Sequence, residues 1–294
     1  MKKTLTLFVN FLFVTIFVVA QTEDTTKSST LQKHWKKKTD VILTLEQSQI
    51  DNWSAGGYSN FAFGSLLKGY YNFAKGNHKL DNTLELSYGR TRQDVTGEGI
   101  WNKTNRWIKS DDKVELNSIY GYKAVGNWNY SALVNIKTQF DNGYKNDTVL
   151  ISTGLSPTTI TSSIGLEYKK TNFSVLFSVL TGKTTYVMDE RLRGPSFGYT
   201  NEIDDAFKFS VGSYIKIFYK RDIFKNINLL CKLDFFYDYE KPFLDTDING
   251  EVFITIKIFK YLSTFFNLQV AMDKDFSTSL QFKERFGVSI PFSF

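Results

Sequence analysis

From Val41 to the end of the chain, apolar side chains recur at every second position with small or polar residues between them. This period of two constrains the fold more than any other feature. It is clearest after Gly126, where Trp128, Tyr130, Ala132, Val134, Ile136, Thr138 and Phe140 alternate with Asn127, Asn129, Ser131, Leu133, Asn135, Lys137 and Gln139. Successive side chains of a strand point to opposite sides, so each such segment carries one apolar and one polar face. The pattern recurs at 80–88, 114–122, 160–168, 173–179, 207–219, 227–237, 252–258, 262–272 and 280–294, and with 61–73 and 41–49 it gives twelve strands.

The connections supply an independent argument. Segments 75–78, 123–126, 169–172, 221–225 and 260–261 are short, and between them lie the longer 93–107, 141–157, 182–205 and 239–250. Strict alternation of short and long is what a membrane-spanning barrel requires, with tight turns at one rim and longer loops at the other. A secreted two-sheet sandwich also alternates along its strands, but nothing in it sorts its loops by length. The expectation is an all-β, transmembrane, antiparallel up-and-down barrel of about 12 strands over residues 41–294, with the short turns and both termini in the periplasm.

Composition fits that reading. The chain has 27 Phe, 16 Tyr and 5 Trp in 294 residues, yet its mean hydropathy is only -0.25. A barrel shows lipid one face of each strand and water the other, which halves the apparent hydrophobicity. Outward aromatics gather near the strand ends, Tyr71, Tyr120, Trp128 and Tyr168 at the short-turn side and Phe61, Phe140, Phe207 and Phe282 at the other, with aliphatic residues between. Two such girdles match the two membrane interfaces.

The first twenty residues read as a secretory signal: Lys2 and Lys3, an apolar run from Leu5 to Val19, and Val18-Val19-Ala20 as the cleavage site. Residues 21–40 are polar and unpatterned, a flexible periplasmic lead. The single Cys231 excludes an internal disulfide, and the net charge of +6 is mild. An exported chain of mild charge is not expected to meet nucleic acid; the expected surroundings are outer-membrane lipid and the barrel assembly machinery, with a protein partner left open.

The last strand, Phe286 to Phe294, alternates Phe286, Val288, Ile290, Phe292 and Phe294 with small or polar neighbours. With Arg285 and Gly287 it gives polar-x-Gly-x-x-apolar-x-aromatic across Arg285, Gly287, Ile290 and Phe292, ending on Phe294, and it resembles the C-terminal sorting signal of bacterial outer-membrane barrels.

Further segments carry a family resemblance: Gln47 to Gly57 with its Asn-Trp-x-x-Gly-Gly, Asp81 to Gly89, Lys109 to Leu116, Tyr120-Gly-Tyr122, Tyr130 to Phe140, Gly143-Tyr144 and Leu180 to Thr184. Together they resemble an outer-membrane family of Bacteroidota known only as a domain of unknown function. That likeness implies a barrel and its address and assigns no activity. Gly194-Pro-Ser-Phe-Gly198 departs from the Gly-Ala-Phe-Gly-like motif expected in the long loop.

Catalysis has little to work with. The two histidines, His34 and His78, fall in the lead and in a short turn, away from any rim nucleophile. The acidic pair Asp111-Asp112 points to opposite faces of one strand. No enzyme activity and no cofactor are expected. Asp245, Asp247 and Asn249 begin a D-x-D-x-N-G run, as calcium loops do, but Ile256 stands where the bidentate Glu belongs; an ordinary turn and a weak cation loop both fit. In the first outer loop, Asn52, Trp53, Gly56 and Gly57 form either a turn with an interface Trp or a constriction at the mouth.

The inward face is more informative. It carries Lys68, Lys137, Lys216, Lys232 and Lys257 against Glu85 and Asp234, with Glu115 and Glu167 nearer the short turns. Buried charges must pair or be hydrated. One expectation is a narrow, anion-leaning channel or small-solute barrel, lined also by Tyr70, Tyr214, Phe218, Phe236, Phe253, Phe259 and Phe265; the other is a set of structural ion pairs inside a barrel whose loops dock a lipoprotein, a glycan or another surface partner.

Overall fold

The computed structural model describes residues 34–48, 59–145, 148–259, 262–275 and 280–293. Residues 1–20, read above as a signal, the residues Asn52, Trp53, Gly56 and Gly57, read as a rim loop, and Phe294 lie outside them.

Twelve antiparallel strands close into a barrel in the ring order β1-β14-β13-β12-β11-β10-β9-β8-β5-β4-β3-β2. The strands are β1 (Trp35–Ser48), β2 (Asn60–Lys75), β3 (His78–Gln93), β4 (Trp107–Lys123), β5 (Trp128–Thr138), β8 (Thr158–Lys170), β9 (Phe173–Tyr186), β10 (Phe207–Phe224), β11 (Ile227–Asp238), β12 (Asp247–Phe259), β13 (Leu262–Met272) and β14 (Gln281–Ser293). A small hairpin, β6 (Gly143–Lys145) with β7 (Val149–Ser152), sits in the connection after β5. Closure leaves no sheet edge among the ring strands, which is how a β structure satisfies its backbone in lipid. Short turns and long connections occupy opposite ends, as the sequence implies.

β5 shows why these segments are strands. Trp128, Tyr130, Ala132 and Val134 are exposed while Asn129, Ser131, Leu133 and Asn135 are buried, in strict alternation. The exposed set faces outward. A water-soluble fold would hide it, so apolar and polar have exchanged their usual sides. Aromatic residues cluster at both ends of the outer face: Trp128 packs against Tyr168 at the short-turn end, and Phe61, Phe63, Trp101 and Trp107 gather at the long-loop end.

Several strands run past the bounds read from the sequence: β4 begins at Trp107, β9 ends at Tyr186 and β10 ends at Phe224. β1 begins at Trp35, so the lead ends earlier than residue 40: Trp35 pairs with Phe73 and Lys38 with Tyr70. Three successive lysines mask the apolar alternation there, but the ladder to β2 needs only backbone groups. β12 begins at Asp247, because Asp247 to Gly250 pair with Leu233 to Phe236 of β11; a stretch of Asp, Asn and Gly reads as a turn, yet it extends a strand. At the foot of β12 the register shifts between Lys257 and Phe259, and Phe259, expected inside, is 72 % exposed.

The interior is filled at two levels. Leu133, Leu176, Tyr214 and Phe236 form one buried cluster, and Leu230, Phe253 and Phe265 form another against Ile42, Leu66 and Phe218. The Phe253 and Phe265 rings lie parallel with centroids 5.7 Å apart, and Gly287 of β14 leaves room for them: a Cβ there would stand 3.2 Å from the Phe265 ring.

Candidate functional site

Between these clusters a band of charge crosses the lumen. Glu85 of β3 is 4 % exposed and receives Lys68 at 3.3 Å from β2, Lys232 at 3.1 Å from β11, and Lys113 of β4. Lys232 also meets Glu251 of β12 at 3.0 Å. Lys113 reaches Glu115 at 3.4 Å, and Lys137 of β5 lies 3.8 Å from Glu115 and 3.7 Å from Asp234. Asp234 of β11 takes Lys216 of β10 at 3.0 Å and the Tyr214 hydroxyl at 3.1 Å. Five ammonium groups and four carboxylates thus form one connected network.

The network exists because of strand parity. Lys68 faces Glu85 in the β2–β3 register, Lys216 faces Asp234 in β10–β11, and Lys232 faces Glu251 in β11–β12. Cross-strand neighbours pair within the sheet; the long lysine stems then reach further across the bore. β11 is fifth and β3 eleventh in the ring of twelve, so Lys232 and Glu85 stand on opposite walls.

A second bridge lies toward the long-loop end. Arg285 and Lys283 of β14 converge on Asp111 of β4, Lys283 at 2.8 Å, and Arg285 also donates to Asn267 Oδ1 at 2.7 Å. Nearer the long-loop rim Lys183 of β9 pairs with Asp247 at 2.6 Å and with Asp273 at 3.5 Å.

Two cavities flank the band. One of about 340 Å³ opens toward the short-turn end and includes Tyr70, Asp81, Glu167 and Lys220 in its wall. The other, about 390 Å³, lies toward the long-loop end and includes Asn249, Gln269 and Gln281. Glu115 and Lys232 line both. They are the partition between two chambers. A further cavity of about 440 Å³ is a lateral groove where β1–β14 pairing stops at Leu45↔Val288; outward Leu45, Phe63 and Phe286 line it together with inward Asp111 and Arg285.

Most residues singled out from the sequence therefore meet. Lys68, Glu85, Lys137, Lys216, Lys232 and Asp234 belong to the band. Lys257 does not: it is exposed near a short turn. The lysines of the band are not unpaired, as the anion-leaning expectation supposed: each has a carboxylate, with five ammonium groups against four carboxylates. Sequence reasoning left out Lys113 and Glu251. Both were accessible by parity, Lys113 two residues before Glu115 and Glu251 two before Phe253, but each sat just outside its assigned strand.

The remaining residues are placed as follows. In the last strand, read above as resembling a sorting signal, Arg285 and Gly287 face the lumen while Ile290 and Phe292 face outward, Phe292 opposite Val41. Asp111 and Asp112 part as expected; Asp112 accepts the backbone N–H groups of Phe140 and Asp141, each at 2.8 Å. Asp245, Asp247 and Asn249 do not gather round one point: Asp245 pairs with Lys274, Asp247 with Lys183, and Asn249 is exposed on β12. Among the described residues no group of three or more His, Cys, Asp or Glu is arranged to hold a metal ion.

Comparison with known proteins assigns no activity. The profile of a family described as protein of unknown function, DUF3078, matches residues 45–144. No curated protein matches. Similar solved structures include the translocator domain of the autotransporter NalP from Neisseria meningitidis, 12 % identical, covering 88 % of this chain and 87 % of that one, with a TM-score of 0.36. An outer membrane channel, COG4313, from Pseudomonas putida F1 is 10 % identical over 90 % of this chain and 99 % of its own, TM-score 0.38. Outer membrane phospholipase A from Escherichia coli is 12 % identical over 86 % and 89 %, TM-score 0.35. These three are outer-membrane barrels of quite different activities, and likenesses this distant assign none of them here.

Proposed function

We propose that this is an outer-membrane barrel that binds or passes a small polar solute through a lumen closed at rest by its own charges, with the short turns and both termini in the periplasm. The observation that carries the reading is the bridge from Lys232 to Glu85 between opposite walls, 3.1 Å, with a chamber on either side of it. A barrel meant only as a scaffold gains nothing from two chambers lined by charged and apolar side chains together. Ion pairs can close a bore reversibly, and Lys113, Lys137 and Lys232 each have a second carboxylate within reach. Selectivity by net charge is weak in such a bore; size and the pattern of donors and acceptors decide.

A second reading, an interaction barrel acting through its outer loops, draws on the internal bonding of the connection between β9 and β10. There Gly194 N–H donates to Thr200 Oγ1 at 2.7 Å and the Arg193 guanidinium to the Val187 carbonyl at 3.1 Å, so the loop presents a fixed surface.

Proteoliposome swelling separates the two. The first reading expects slow entry of small solutes and faster entry when Lys232 is replaced by alanine. No entry with either protein would favour the scaffold.

A further inference from the structure

Five charged side chains in the wall of the short-turn chamber lie outside the network: Asp81 and Lys169 pair with each other, Lys170 is exposed, and Glu167 and Lys220 remain. Glu167 of β8 is 3 % exposed and lines this cavity, yet among the described residues no hydrogen bond or ion pair reaches its carboxylate. Its neighbour Lys169 is engaged with Asp81. Every other carboxylate in this wall, those of Asp81, Glu85 and Glu115, has at least one lysine. Lys220 of β10 is the converse: its ammonium group lies 5.3 Å from the centre of the Tyr70 ring and has no carboxylate at ion-pair distance among the described residues. Burying an unpaired carboxylate is costly, and a wall that pairs its other acids while sparing this one leaves a vacant position for a cation.

The register sets the spacing. Glu167 pairs with Leu176, and Leu176 with Lys216, so Lys220 lies four residues further toward the short turns, on the order of 13 Å along the strand at ~3.3 Å per residue. Leu176, Phe218 and Ile119 line the chamber together with the two charged groups. A free negative and a free positive group, separated by an apolar and aromatic floor, complement a zwitterion longer than a single amino acid.

We infer that this chamber is a binding site for a small zwitterionic peptide of about dipeptide length with an apolar side chain, its ammonium on Glu167 and its carboxylate on Lys220 beside Tyr70. The site rests on the solute-binding reading above and names its ligand class. It needs no passage through the partition, because it is reached from the short-turn end.

The test is calorimetric titration of the intact mature protein in detergent with three probes: alanylphenylalanine, its N-acetyl form and its C-terminal amide. The wild type is expected to bind the free dipeptide and to bind either capped form roughly tenfold more weakly, as loss of one charge-assisted hydrogen bond implies. Glu167→Gln should lower affinity for the free dipeptide and abolish its advantage over the N-acetyl form; Lys220→Met should abolish its advantage over the amide. The probe comparison on the wild type needs no variant to fold. Absence of binding at millimolar dipeptide, equal affinity for all three probes, or a folded Glu167→Gln that binds like the wild type overturns the assignment. None of these results touches the closed-lumen reading, which swelling and conductance judge.

Discussion

Lys232 Nζ stands 3.1 Å from Glu85 Oε2 although the two strands that carry them lie six places apart in the ring. Glu85 also takes Lys68 and Lys113, so one carboxylate anchors three ammonium groups from three strands. Removing one partner of a buried ionic group strands the others and costs about 3 to 5 kcal/mol. Glu85→Ala should therefore destabilise the barrel by that order, and Glu85→Asp by less. Urea unfolding followed by loss of the heat-modifiable folded band measures both; an effect of Glu85→Ala within experimental error of zero would show that the band is not a single network.

Asp245 and Asp247 began as one candidate cation loop and have separate fates. Asp247 is buried and paired with Lys183, while Asp245 pairs with the more exposed Lys274. Asp247→Asn should cost about 1 to 3 kcal/mol and Asp245→Asn less than about 1 kcal/mol. EDTA should leave the thermal midpoint of the wild type unchanged. A calcium-dependent midpoint that the double substitution removes would restore the cation loop.

The loop between β9 and β10 carries a pH marker. The Arg191 guanidinium donates to both oxygens of Asp189, at 3.0 and 2.7 Å, and, against the opposing effect of burial and with help from the Arg191 N–H, holds the carboxyl down to about 2. The unfolded value is about 3.9. A depressed carboxylate contributes stability that is full above the unfolded value and is lost as pH falls through the folded one, so anchoring of this loop should persist to about pH 4 and vanish on the way to about 2. Carboxyl-carbon titration by NMR should show this midpoint, and Arg191→Met should return it to the ordinary range. An unchanged midpoint in that variant would contradict the pairing.

Orientation is tested by labelling. With Cys231 replaced by serine, a cysteine at Ser196, in the loop after β9, should react with an impermeant maleimide on intact cells. One at Asn172, in the two-residue turn between β8 and β9, should react only once the envelope is opened. The reverse pattern would invert the barrel in the membrane.

Much of this architecture was legible in the sequence because one physical rule repeats. Side chains of a strand alternate between lipid and lumen, so Leu133 among polar neighbours on β5 was placed inside by parity alone, and it is 1 % exposed. Parity likewise placed Lys68, Glu85, Lys137, Lys216, Lys232 and Asp234 on one wall surface. It could not show which of them meet, because that depends on stagger and ring order: nothing local links Glu85 to Lys232, or Asp111 to Arg285. Parity also fails where register shifts, as at Phe259, and where composition imitates a turn, as at Asp247 to Gly250. Glu167 was placed inward by parity, while Lys220 fell just past a strand assigned to 207–219 and belongs to β10; that both are left without partners emerges only when the other charges are matched.

Single-channel recording in a planar bilayer tests the closed lumen most directly. The wild type should show no steady open state, and Lys232→Ala, which removes one of the two side chains shared by both chambers, should show small, well-defined openings while remaining heat-modifiable. A wild type that conducts continuously with porin-like conductance would contradict the account.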